Sequence, residues 1–169
     1  ALLGEVDVLK TLQLLPGVQS GGEGQSGLYV RGGSPDQNLV LLDGVPIYNV
    51  SHLLGFFSVF NADAIKNVTL TKGGIPARFG GRLSSVLEIN MKEGNMEEFK
   101  GEGSLGFISS KLTLEGPIIK DKASFLFSYR RTFADVWVKA LSKYQYDISG
   151  DEGEASYGFQ DINAKLNFK

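Results

Sequence analysis

The feature that most constrains this chain is a run of strict alternation between residues 123 and 133. Phe125, Phe127, Tyr129 and Phe133 fall on one side, while Ser124, Ser128, Arg130 and Thr132 fall on the other. Successive side chains of a strand point to opposite faces, so a period of two over this length predicts a β-strand with one apolar and one polar face. Residues 157–169 repeat the pattern, with Ile162, Ala164, Leu166 and Phe168 set against Asp161, Asn163, Lys165 and Asn167. An apolar face carrying aromatics, opposed by Asp, Asn and Lys, suits a barrel wall with lipid outside and water inside. It suits equally a half-exposed sheet on a soluble core, and periodicity alone leaves both open.

The stretch from Glu102 to Glu115 changes phase, with Leu105 and Phe107 in one register and Leu112 and Leu114 in the other. A bulge near Ser109-Ser110 within one strand would produce that shift. A tight link, Gly116 to Lys122, joins this strand to the next, whereas the following connection runs from Ala134 to Ala155. Within it Phe133, Trp137, Ala140, Leu141 and Tyr144 keep helical spacing, ahead of the acidic stretch Asp147 to Glu154. Short turns at one end and long loops at the other are a property of membrane barrels.

Upstream of Gly94 the pattern is different. Val6, Leu9 and Leu12 predict a short amphipathic helix within Glu5 to Leu15, stopped by Pro16-Gly17. After a polar loop, Ser20 to Gly27, a strand is expected at Leu28 to Arg31. Asn38 to Leu42 and Val45 to Tyr48 flank Asp43-Gly44, a pair suited to the positive φ angles of a tight hairpin turn, and Pro46 places the second strand at an edge. Asn49 to Asn61 reads as a packed loop, Ala62 to Lys66 as a helical turn, and Val68 to Lys72 and Val86 to Lys92 as strands. The expected fold class is α+β: a compact domain of short strands and helices over residues 1–95, followed by antiparallel strands over 96–169.

Composition removes several functions. With 42% hydrophobic and 21% charged residues the chain is globular, and its 22 glycines announce many turns. A net charge of -2 offers no basic face for nucleic acid. No cysteine and a single histidine, His52, exclude disulfides and Cys/His zinc sites, so no metal or other cofactor is expected. Gly22 to Gly27 fits G-x-G-x-x-G, but a helix ends before it and a strand begins after it, the reverse of a dinucleotide site. The acidic loop fails the EF-hand count, because Glu152 stands where glycine is needed. No serine sits in a G-x-S-x-G elbow, so His52 with Asp43 and Ser51 makes no hydrolase triad, and no enzyme activity is expected.

What remains is a series of motifs in fixed order: Tyr29-Val30-Arg31-Gly32-Gly33, Leu41-Leu42-Asp43-Gly44-Val45-Pro46, Lys72-Gly73-Gly74-Ile75-Pro76-Ala77-Arg78-Phe79-Gly80-Gly81, and Ser84-Ser85-Val86-Leu87-Glu88-Ile89. Over about residues 4–94 this series resembles the plug domain of TonB-dependent outer-membrane receptors of the Bacteroidetes type. Gly116-Pro117 to Lys122, with the Phe-rich strand after it, resembles the first periplasmic turn of such a receptor's barrel.

The resemblance implies a plug that occludes a barrel of roughly 22 strands and gates energy-coupled uptake of a nutrient at the cell outer membrane. That nutrient would be an iron chelate, cobalamin, a glycan or a peptide. The implied partners are the remainder of the barrel, TonB through an N-terminal segment, and a surface lipoprotein. It further implies that Arg31 and Lys72 lock onto barrel glutamates, and that Tyr48, Asn49, His52 and Phe56 in apical loops meet the ligand. Gly32, Asp43, Gly44, Gly73, Arg78, Gly80 and Gly81 carry the motif structurally. The family's TonB-binding segment precedes the region matched by Ala1 onward, and three barrel strands are read here. The chain is therefore expected to be a piece of a longer receptor, with a truncated barrel that cannot close by itself. A stand-alone periplasmic or surface ligand-binding module of plug-like fold is the alternative.

Overall fold

The computed structural model describes residues 7–21, 27–52, 57–133, 135, 136, 139 and 158–169. The described residues divide into two compact units, one within Val6–Lys92 and one within Glu93–Lys169.

The first unit begins with α1 (Val8–Leu12), which buries Leu9 and Leu12. The Asp7 side chain caps it, accepting from the Leu9 and Lys10 amides and so satisfying donors that the helix cannot pair internally. A short antiparallel pair follows, β1 (Val18–Ser20) with β2 (Leu28–Val30). Three-residue β1 lies just ahead of the expected loop, where the sequence shows no alternation long enough to predict a strand.

Next come β3 (Asn38–Leu42) and β4 (Val45–Pro46), joined as the Asp43-Gly44 pair predicts: φ is 48° at Asp43 and 83° at Gly44. The expected loop at 49–61 instead contains a minimal ladder, β5 (Ser51–His52) against β6 (Phe57–Ser58). With two residues on each strand, it is held by its pairing partner and shows no periodicity. A 3-10 turn at Ala62–Ala64 leads into β7 (Ile65–Thr71), and β8 (Ser85–Met91) closes the main sheet.

The sheet order is β4-β3-β8-β7, with β3 and β8 parallel from Asn38 opposite Ser85 to Leu42 opposite Ile89. Pro46 thus lies on an edge strand, where its missing amide costs no ladder bond. Leu87 and Ile89 are fully buried, and they join Leu9, Leu12, Val18, Leu28, Val30, Val40 and Phe60 in one core. Val86, whose side chain points to the opposite face from Leu87 and Ile89, is buried as well, as befits a central strand. Two buried polar residues tie the strands together. The Asn38 amide donates to the Leu28 carbonyl at 2.6 Å, and the Ser85 hydroxyl donates to Asn38 Oδ1 at 2.8 Å.

The second unit is a fully antiparallel sheet of order β12-β11-β10-β9. Its strands are β9 (Lys100–Leu105), β10 (Ser109–Ile119), β11 (Ala123–Thr132) and β12 (Gln160–Phe168). Among the described residues, four strands therefore stand where three were expected. The phase change between Leu105 and Leu112 is a chain reversal, not a bulge: the Gly106 amide bonds to the Ser109 carbonyl, and Ser110 pairs back with Leu105. The link after β10 is also tighter than expected, since β10 runs on to Ile119 and the reversal is left to Lys120, Asp121 and Lys122, with φ 60° at Asp121.

In this sheet the polar face is the buried one. Thr113, Ser124, Ser128, Arg130 and Thr132 are buried, whereas Ile162, Leu166 and Phe168 are 65%, 62% and 68% exposed. Arg130 pairs with Asp161 directly across β11 and β12, its Nε 2.9 Å from Oδ2, and stacks over Phe159. Removing either charge would break a largely buried ion pair, a loss of about 3–5 kcal/mol. In the long connection Asp135, Val136 and Lys139 are helical. Trp137, Ala140, Leu141, Tyr144 and the acidic stretch lie outside the described residues.

The chain enters this sheet along β11. The Ser124 hydroxyl donates to the Glu93 carbonyl at 2.7 Å, and the Asp121 amide donates to the Met96 carbonyl. Gly94 packs so closely that a methyl group on it would come within 2.3 Å of the Phe125 carbonyl oxygen.

Candidate functional site

Where β2 ends, positive φ at Arg31 (50°) and Gly32 (81°) turns the chain, and the Gly33 amide bonds back to the Val30 carbonyl. The same carbonyl accepts from the Ser84 hydroxyl at 2.6 Å, at the entry to β8. Where β7 ends, Lys72 is followed by Gly73 and Gly74, both at positive φ. The fold thus brings together three turns distant in sequence, after β2, after β7 and before β8.

Between them lies an open cleft of about 520 Å³, bounded by the glycine pairs at 32-33 and 73-74 and by Arg31, Lys72, Leu83 and Ser84. Arg31 rests on Gly73: a Cβ there would stand 2.6 Å from Nη1, so glycine leaves room for the guanidinium. Lys72 Nζ donates to the Pro16 carbonyl at 2.6 Å. The two cations singled out in the sequence therefore line one cleft to which no carboxylate is contributed among the described residues. Chemically, Arg31 can offer an oxygen acceptor a planar fork of donors and Lys72 a point charge.

The remaining candidates are placed elsewhere. Tyr48 is 85% exposed, Asn49 is exposed with its Oδ1 accepting from the Ser51 amide, and His52 is half-buried on β5 opposite Phe57. These three belong to one segment; Phe56 lies outside the described residues. Asp43 does more than turn the chain, because its Oδ1 accepts from the Met91 amide at 3.0 Å and ties the hairpin to the end of β8. Arg78 lies over the Phe79 ring and 3.9 Å from Glu88, an exposed pair worth at most about 1 kcal/mol. Gly81 has φ 79°, and Gly80 is surrounded by open space.

Sequence reasoning gave no bonding role to Asp7, Asn38, Ser84 or Ser85, although Ser84 and Ser85 stand in the motif series. Each holds two segments together, but a single polar residue at a packing junction leaves no periodic trace. The one available signal was Asp7 directly ahead of an apolar helical run, the usual position of a capping residue.

Comparison with known proteins adds three observations. The family model for the TonB-dependent Receptor Plug Domain matches residues 3–85. The chain is 33% identical, over 210 aligned positions, to the vitamin B12 transporter BtuB of Vibrio vulnificus (strain YJ016), covering 96% of this chain and 34% of that protein. Among solved structures it is similar to the siderophore receptor PirA of Acinetobacter baumannii, with a TM-score of 0.64 and 25% identity over 96% of this chain and 27% of that one. A mutant of the ferric enterobactin receptor PfeA of Pseudomonas aeruginosa shares the fold, with a TM-score of 0.60 at 20% identity, over 96% and 28% of the two chains. The chain thus spans about a third or less of the length of these relatives.

Proposed function

Because this chain belongs to the TonB-dependent receptor plug family, we propose that it supplies the plug, residues 1–95, and the first wall strands, 96–169, of an outer-membrane receptor. In this reading the whole receptor binds a scarce nutrient outside the cell and admits it when TonB, gripping an N-terminal segment, draws on the plug. The role is binding and gating rather than catalysis. Of the ligand classes expected, cobalamin and iron chelates agree with what the relatives are named for, a vitamin B12 transporter and siderophore receptors.

The observation that carries the reading is the inverted sheet of the second unit, polar face buried and apolar face exposed. In water such a sheet would be turned inside out; in a bilayer the apolar face meets lipid and the polar face meets the lumen. A stand-alone binding module would need the opposite arrangement. Arg31 and Lys72 then take the plug side of a lock whose glutamates belong to the remainder of the barrel. A carboxylate held by both cations in a lumen of low dielectric favours one packed geometry until it is pulled apart. Tyr48, Asn49, His52 and Phe56 are the proposed ligand contacts, and a surface lipoprotein is a further proposed partner.

Fractionation of source cells tests the reading. The expected result is a large outer-membrane band whose migration on a gel changes when the sample is boiled. A soluble product of the size of this chain would refute it.

A further inference from the structure

We infer that Asp7 is a coupling residue, making the first turn of α1 and the strand β6 release together. Its two carboxylate oxygens serve different elements. Oδ1 accepts from the Leu9 and Lys10 amides at 2.9 and 3.1 Å, and Oδ2 accepts from the Ser58 amide, 51 positions further on, at 2.8 Å. A second contact joins the same two elements, since the Lys10 ammonium lies 5.8 Å from the centre of the Phe57 ring.

An N-cap needs only one acceptor oxygen, and Ser, Thr or Asn would serve as well as Asp. What Asp adds is the second oxygen, and here that oxygen holds a strand. Ser58 is fully buried, so an amide that loses this acceptor loses a charge-assisted bond where solvent is scarce. Ser58 in turn pairs with Ser51, and Phe57 with His52. The connection therefore runs from α1 through one carboxylate to β6 and β5.

The consequence for uptake rests on the receptor reading above. A pull on the chain ahead of residue 7 unwinds the first turn of α1 and carries Asp7 away from Ser58. That loosens the β5–β6 ladder, which holds His52 and follows Tyr48 and Asn49. One side chain thereby links the end that is pulled to the segment proposed to contact ligand.

The test is hydrogen exchange, read by mass spectrometry on the full-length receptor in detergent. Asp7→Ser keeps a capping oxygen but cannot also reach Ser58; exchange across β6 should rise by about tenfold or more, with α1 and the β3–β8 core as protected as before. Thr11→Gly, at an exposed helical position, should raise exchange in both α1 and β6 when Asp7 is present, and in α1 alone in the Asp7→Ser background. Asp7→Asn, nearly isosteric with one acceptor oxygen, should release either the cap or Ser58. Unchanged protection of β6 in Asp7→Ser, or of both elements in Asp7→Asn, would overturn the inference. So would a Thr11→Gly effect confined to α1 while Asp7 is present. These outcomes judge the coupling whether or not the receptor proves to transport, which fractionation and uptake assays decide separately.

Discussion

Gly33 and Arg31 are two positions apart and illustrate two kinds of constraint. A methyl group at Gly33 would lie 2.4 Å from Ser84 Oγ and 2.5 Å from Ser84 Cβ. The second atom sits at the root of its side chain, so no rotamer change relieves the clash, and the start of β8 must move away from the end of β2. Gly33→Ala should therefore destabilise the protein by about 1–3 kcal/mol, seen as a lower urea midpoint. Arg31 is exposed, and stability alone would scarcely register its loss. Its expected effect is functional: Arg31→Glu in the intact receptor should make the plug more sensitive to protease and reduce uptake. Wild-type protection and uptake in that variant would remove Arg31 from the lock.

At the scale of elements, the Asp43-Gly44 hairpin separates turn chemistry from cross-sheet bonding. Asn tolerates positive φ and retains an acceptor oxygen for the Met91 amide, so Asp43→Asn should be nearly neutral. Asp43→Ala loses both and should cost about 1–2 kcal/mol in thermal unfolding. This hairpin was legible because its turn residues have few other uses, and the long strands β11 and β12 were legible because alternation repeats over ten and nine residues. The β9–β10 reversal was not. Its turn contains Phe107 and Ile108 where polar turn residues would be the usual marker, so a change of direction looked like a slip in phase. Strands β1, β5 and β6 are two or three residues long and exist through what they pair with, which no local pattern records. The candidate cleft was half legible: Arg31 and Lys72 stood out through the motifs around them, but their shared cleft depends on β2, β7 and β8 all presenting their turns to it.

At the scale of the molecule, the inverted second sheet sets an asymmetry between its faces. If its apolar face meets lipid, Leu166→Arg should cost about 2–4 kcal/mol near the bilayer midplane, whereas Asn163→Ser on the opposite face should cost little. Heat-modifiability of the folded receptor would report both. Equal tolerance of the two substitutions would point to a sheet with water on its apolar side. The segment that leads into this sheet has a mechanical consequence of its own. Glu93, Gly94 and Met96 are fastened to β11 and to the turn that precedes it, so the joint between the two units is anchored on the wall side. Hydrogen exchange at residues 93–96 should therefore follow that of β11, however the first unit behaves.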